Sequence, residues 1–153
     1  MENENIIKLE IENYNKCNNI WNMEKQKNLA EKFLKELKCK NRETFVYEYD
    51  NEYLGEVSIV FKKNDSDYCI PQKRLYLSRI IVKKEYRNKG IGKKLMNFII
   101  EYAKSLKYKE LSLGVNLDNY NALNLYVKLG FDKIIYIGQD EDGQYLKLLK
   151  KLD

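Results

Sequence analysis

The stretch Val82-Lys83-Lys84-Glu85-Tyr86-Arg87-Asn88-Lys89-Gly90-Ile91-Gly92-Lys93 gathers residue types that can hold an anion. Gly90 and Gly92 carry no Cβ, so a ligand can approach their backbone closely. A helix starting at this point presents N–H groups without intrahelical partners, at the positive end of its dipole. Arg87, Lys89 and Lys93 add charge to the same place, and together these features make an anion site. Two common phosphate loops do not fit. Gly90-Ile91-Gly92 is followed by Lys93-Lys94-Leu95 rather than completing Gly-x-Gly-x-x-Gly, and Gly92-Lys93 lacks both the upstream glycine and the Ser/Thr of a P-loop. A glycine-containing turn that merely starts a helix is the plain alternative.

Other residue types narrow the chemistry by their absence or spacing. There is no histidine in the 153 residues, which excludes Ser-His-Asp and Cys-His catalysis and every His-ligated metal site. Cys17, Cys39 and Cys69 are odd in number, widely spaced and form no CxxC pair, so they read as reduced thiols, and no metal is expected. The net charge of +5 is unevenly distributed: Lys73 to Lys109 holds 12 Lys/Arg against only Glu85 and Glu101, and the remainder is acidic. A local anionic partner, either nucleic acid or a phosphorylated cofactor, fits that segment, as does a merely solvated basic face. At 44% hydrophobic and 33% charged the chain is globular, and no apolar run reaches the roughly 20 residues of a membrane span. With a polar start, Met1-Glu2-Asn3-Glu4-Asn5, a cytoplasmic protein is expected.

The elements that must position the loop follow from periodicity. Ile6, Ile7, Leu9 and Ile11 predict an opening strand, and Leu29, Phe33 and Leu37 a helix reaching from about Lys16 to Leu37. Thr44–Asp50 and Tyr53–Lys62 predict a hairpin turning at Asp50-Asn51-Glu52, followed by a loop through Asn64-Asp65-Ser66-Asp67 and Pro71. Arg74–Val82 reads as a strand whose apolar end predicts burial on both faces. A long helix follows Gly90, its core side set by Ile91, Leu95, Phe98, Ile99, Tyr102 and Leu106. Glu110–Asn116 is a strand, Asn119–Leu129 a helix stopped by Gly130, and Phe131–Gly138 with Gln144–Leu152 a closing strand pair. Strands alternating with helices after an initial hairpin predict an α+β (mixed α/β) sheet with helices packed on it.

Two segments carry a family resemblance. Arg87-Asn88-Lys89-Gly90-Ile91-Gly92 resembles the Arg/Gln-x-x-Gly-x-Gly/Ala signature of the GNAT superfamily of acyl-CoA-dependent N-acetyltransferases, and Ile80 to Tyr86 is similar to the strand leading into it. Asn119-Tyr120-Asn121-Ala122-Leu123-Asn124-Leu125-Tyr126-Val127-Lys128-Leu129-Gly130-Phe131 resembles the same family's second motif. The resemblance, clearest over residues 75–135, implies a single GNAT-like domain over 1–153. Its sheet would be central and mostly antiparallel, with splayed fourth and fifth strands and helices on both faces. It implies that coenzyme A pyrophosphate sits on the backbone of Arg87, Asn88, Lys89, Gly90, Ile91, Gly92 and Lys93. The pantetheine arm would lie along Ile80, Ile81 and Val82, with Asn119 touching it and Tyr126 beside the sulfur. Tyr126 shares a helix face with Leu123 and Leu129, where an aromatic is ordinarily core, so spacing alone favours packing.

The implied reaction is direct transfer of acetyl from acetyl-CoA to a primary amine in a ternary complex, with Tyr126 as hydrogen-bond or proton donor to the thiolate. Leu75 to Ile81 lacks the strand glutamate that some relatives use, so no general base is assigned. Glu48, Glu56 and the 65–67 carboxylates read as solvated surface. Family substrate contacts would come from regions containing Trp21, Tyr47, Tyr49 and Tyr68, which are compatible with a cationic amine, although each aromatic reads as packing before recognition. A non-catalytic acyl-CoA-binding module is the second reading. A nucleic-acid binder using the 73–109 basic segment is the third, disfavoured because no recognition motif accompanies it. No membrane partner is expected, and the late strand pair leaves room for a homodimer.

Overall fold

The computed structural model describes residues 3–153. In chain order it contains β1 (Glu4–Lys8), a 3₁₀ segment (Ile11–Asn19), α1 (Lys27–Lys38), β2 (Arg42–Tyr49), β3 (Glu52–Val60) and β4 (Arg74–Val82). A 3₁₀ turn (Lys84–Tyr86), α2 (Ile91–Ser105), β5 (Glu110–Asn116), α3 (Tyr120–Lys128), β6 (Lys133–Asp140) and β7 (Gly143–Lys151) follow. The seven strands form a mixed sheet in the order β1-β2-β3-β4-β5-β7-β6. β1–β2, β5–β7 and β6–β7 are antiparallel, whereas β4–β5 is parallel. The chain gathers into two compact units: everything through Ile59 with Arg79–Ile99, and Val60–Ser78 with Ile100–Asp153.

In the first unit, β2 separates two helices. Val46 joins α1 residues Ala30, Phe33 and Leu37 in a core that also takes Cys17, Ile20, Trp21 and Tyr53. Its neighbour Phe45 meets Phe98 of α2, with ring centroids 4.9 Å apart. Successive strand residues point to opposite faces, so α1 and α2 cover opposite sides of β2. The hairpin turns through Asp50 and Asn51, both at positive φ (50° and 66°), as a two-residue turn matched to the strand twist requires.

The long helix expected from Lys16 is broken into a 3₁₀ segment, a turn and α1. Asparagines break it: the Asn18 side chain accepts from the Met23 N–H (3.1 Å) and that of Asn22 from the Lys25 N–H (3.0 Å). Such local bonds compete with the helical ladder. α2 likewise stops at Ser105, so Leu106 lies beyond it, and its buried side is broader than expected, adding Met96, Ile100 and Ala103.

In the second unit, β7 is the spine. It pairs with β5 from Glu110↔Lys151 to Asn116↔Tyr145, and on its other side with β6, which carries a bulge between Ile134 and Tyr136. Leu146, Leu148 and Leu149 are buried with Leu111, Leu113 and Phe131. The β4–β5 ladder covers only Arg74↔Glu110, Leu75↔Leu111 and Tyr76↔Ser112. The expected burial of the β4 end on both faces is not found: Ile80, Ile81 and Val82 are each only half-buried. Among the described residues no helix is long and apolar enough to cross a membrane.

Phe33 is the keystone of the first unit's core. It is buried, lies edge-on to Trp21 at 6.2 Å, and carries the Arg42 guanidinium 3.9 Å over its ring. Phe33→Ala should therefore cost about 3–5 kcal/mol. That corresponds to roughly 6–20 °C in melting temperature, and Phe33→Leu should cost clearly less.

Candidate active site

The candidate loop, residues 87–93, belongs to the first unit. β4 is fixed there by the Lys83 N–H on the Leu54 carbonyl (2.8 Å), and one 3₁₀ turn leads to Arg87. Arg87 Nε donates to the Val82 carbonyl at 2.9 Å, which fastens the loop to the strand end. That bond uses one acceptor that the pantetheine reading left open, while the two Nη groups of this exposed side chain face outward without a recorded protein partner. Asn88 and Gly90 both have positive φ, 63° and 87°. A Cβ added at Gly90 would meet nothing within 4 Å, and one at Gly92 only Val82 Cγ2 at 3.8 Å, so the space over the turn is open.

α2 starts without a side-chain cap, because Gly90 has no side chain to give. Its first i→i−4 bond runs from the Lys94 N–H to the Gly90 carbonyl (3.1 Å), leaving the amides of Ile91, Gly92 and Lys93 ahead of it. The Ile91 side chain itself is buried, so only its backbone can serve a ligand. α3 is the contrast: Asn119 caps it, its Oδ1 accepting from the Ala122 N–H at 3.4 Å. Of the nearby cations, Lys83 is bound to Asn19 Oδ1 (3.0 Å) and Lys94 to Glu4 (2.8 Å). Lys89 lies 5.4 Å over the Tyr86 ring, and Lys93 is exposed.

Within the first unit, Glu56 of β3 and Arg79 of β4 form with Trp21 a charged cluster that sequence pattern did not reveal. Glu56, read as solvated surface, is 4% exposed and accepts a 2.7 Å bond from Trp21 Nε1. Burial pushes its carboxyl above the ordinary carboxylate range, opposed by the Arg79 charge and the Trp21 bond. Arg79 stacks 4.4 Å over Trp21, and burial lowers its pKa. Trp21 and Tyr47 are both packed inside, so neither is a surface reader of substrate.

The second unit holds Asn119 and Tyr126 together in one open pocket of ≈ 860 Å³. Its wall includes Tyr68, Gly114 to Asn116, Asp118, Asp140, Tyr145 and Lys147. Tyr126 is 8% exposed and lies edge-on to Phe131 at 6.2 Å, yet no described residue hydrogen-bonds its hydroxyl. The residue is at once packed and pocket-lining. Burial pushes its phenol up to about 12, so it remains a protonated donor at every working pH.

The 65–67 carboxylates are also not free surface. Lys147 Nζ reaches Asp65 (3.0 Å) and Asp67 (3.1 Å) and lies 4.9 Å over the Tyr68 ring. Sequence reading missed Lys147 because its partners are 82 and 80 residues away, joined only through the sheet. The Lys147 bond holds the Asp65 carboxyl below its usual range, and the two carboxylates raise the ammonium further above its own.

The family model described as "Acetyltransferase (GNAT) family" matches residues 4–131. A probable spermine N(1)-acetyltransferase of Bacillus subtilis subsp. natto is 36% identical over 59 residues, 38% of this chain and 39% of that relative. N-alpha-acetyltransferase 50 of Danio rerio is 28% identical over 117 residues, 66% of this chain and 70% of that relative. The first of these matches thus spans well under two thirds of its relative's length. Among solved structures, a GNAT family acetyltransferase from Elizabethkingia anophelis with acetyl-CoA bound superposes with a TM-score of 0.75 at 21% identity, over 99% of this chain and 100% of that one. An N-acetyltransferase from Staphylococcus aureus gives 0.74 at 21%, over 99% and 98%. Identity at that level shows the shared fold.

The Lys147 cluster makes a pH-dependent prediction. Asp65 has a lowered folded pKa, so its share of stability is present above about pH 4 and is lost as pH falls through the folded value. Lys147 has a raised one, so its share is present below about pH 10 and lost only above it. Lys147→Met should lower the melting temperature by roughly 3–6 °C between about pH 5 and 10. The deficit should shrink towards zero near pH 3 in melting curves recorded across that range.

Proposed function

The chain belongs to the Acetyltransferase (GNAT) family, and on that premise we propose that it transfers an acetyl group from acetyl-CoA to a primary amine by direct attack in a ternary complex. The observation that carries the reading is Tyr126, whose ring is buried while its hydroxyl, without a partner among the described residues, borders an open pocket. A phenol so placed has its hydrogen bond free to give to a bound ligand.

The residues present suit coenzyme A as co-substrate. The uncapped α2 amides, the open backbone at Gly90, the outward Arg87 Nη groups and Lys93 would receive phosphate oxygens. The half-buried Ile80–Val82 segment would offer its backbone to the pantetheine arm, and in the second unit Asn119 keeps its Nδ2 free. An N–H of this strand would polarise the thioester carbonyl.

The amine lone pair attacks the carbonyl carbon, the C–N bond forms, and the C–S bond breaks to release the thiolate. Only a neutral amine can attack, which for a lysine-like group costs about 4 kcal/mol at pH 7.5. With Tyr126 near 12, complete proton transfer to a thiolate of pKa ~8.5 would be uphill by about 5 kcal/mol. Tyr126 therefore acts by donating a hydrogen bond to sulfur as charge develops there, an interaction stronger in the transition state than in the ground state.

Tyr126→Phe keeps the ring against Phe131 and deletes only the hydroxyl. It should bind acetyl-CoA and melt like the parent but show kcat at least about tenfold lower. In the parent, kcat/KM should rise about tenfold per pH unit towards the amine's own pKa, with no falling limb from Tyr126 below about pH 11. Thiol release with an amine panel measures both, and an unchanged kcat in a chemistry-limited Tyr126→Phe enzyme would remove this role.

A further inference from the structure

The same pocket holds two sets of cation-binding groups, and only one of them is filled. Asp65, Asp67 and Tyr68 surround the ammonium of Lys147, a residue that is itself buried. The pocket wall thus already accommodates an alkylammonium between carboxylates and an aromatic face. Asp118, at the start of α3, and Asp140, at the end of β6, line the pocket together with Tyr145. This second set repeats the chemistry of the first, yet neither carboxylate makes an ion pair with any described residue; Asp140 Oδ1 accepts only the Asp142 N–H, at 2.9 Å.

Lys147 is the one cation of the pocket wall, and its charge is consumed by Asp65 and Asp67. Asp118 and Asp140 are therefore left as uncompensated negative charge inside a chain whose formal net charge is +5. The Tyr126 side chain, more than nine-tenths buried and without a hydrogen-bond partner among the described residues, lines the same cavity. With the phenol given to the thioester sulfur, the carboxylates call for positive charge on the acceptor that shares the pocket.

We propose that Asp118, Asp140 and Tyr145 form a subsite for the second ammonium group of a di- or polyamine acceptor, whose first amine is the one acetylated beside Tyr126. The subsite rests on the acyltransferase reading for the fate of that first amine, but its affinity for a dication does not. A monoamine of equal length fills the pocket with the same methylene chain and leaves the two carboxylates unpaired. Exposed carboxylates contribute modestly one by one, so the double substitution is the informative change.

The test compares cadaverine with n-pentylamine on the intact protein, by calorimetric binding without acetyl-CoA and by thiol release with it. Cadaverine is expected to bind at least about tenfold more tightly and to show at least about tenfold higher kcat/KM. In Asp118→Asn/Asp140→Asn that preference should fall towards unity, and in the parent it should shrink as salt rises. Equal binding of the two amines by the parent, or a preference that survives the double substitution, overturns the subsite. Cadaverine-selective binding with no thiol release from any amine supports the subsite and overturns the acyltransferase reading, so the two failures are distinguishable.

Discussion

Parallel pairing of β4 with β5 is confined to three residue pairs, Arg74–Tyr76 against Glu110–Ser112. Past them, each buried N–H and C=O needs a partner from elsewhere, because an unsatisfied one costs about 1–3 kcal/mol. The chain closes the ladder with side chains. Ser112 Oγ donates to the Tyr68 carbonyl (2.7 Å) and lies 3.3 Å from that of Leu75. The Tyr68 ring packs on Tyr76 at 4.2 Å, and its hydroxyl takes the space that a Cβ on Gly114 would need, 2.7 Å away. Lys147 then ties the 65–67 loop to β7. The pocket around Tyr126 is the space bounded by these contacts and by the start of α3.

Charge is arranged to match. The 73–109 segment carries the basic excess, and its loop presents backbone amides that no side chain caps. The pocket has the opposite sign, with its single lysine already neutralised. On the proposed function, that separation of charge would suit a phosphorylated carrier at the loop residues and an amine at the pocket residues.

Much of this was legible in the sequence where local pattern and local structure coincide. β4 and β5 have the bounds their apolar runs predicted, and the hairpin turns at the Asp50-Asn51 pair whose side chains tolerate positive φ. From Gly90 and its cations alone an anion site and a plain helix-starting turn stood level, and it was the family motif that pointed to coenzyme A. Where side-chain bonds compete with the backbone, as at Asn18 and Asn22, periodicity over-extended a helix. Residues whose surroundings are assembled from distant strands were invisible: Glu56 looked like surface until Trp21 and Arg79 closed over it, and Lys147 has no local motif. Tyr126 fell between these cases, since helical spacing correctly predicted burial and only the motif pointed to the pocket.

The most direct measurement is an NMR titration of the isotope-labelled protein with coenzyme A, following every backbone amide. The account predicts the largest shifts at Arg87 to Lys93, with smaller ones at Ile80 to Val82, Asn119 and Tyr126. Saturable binding with shifts confined to β6 and β7, and none in the loop, would contradict it.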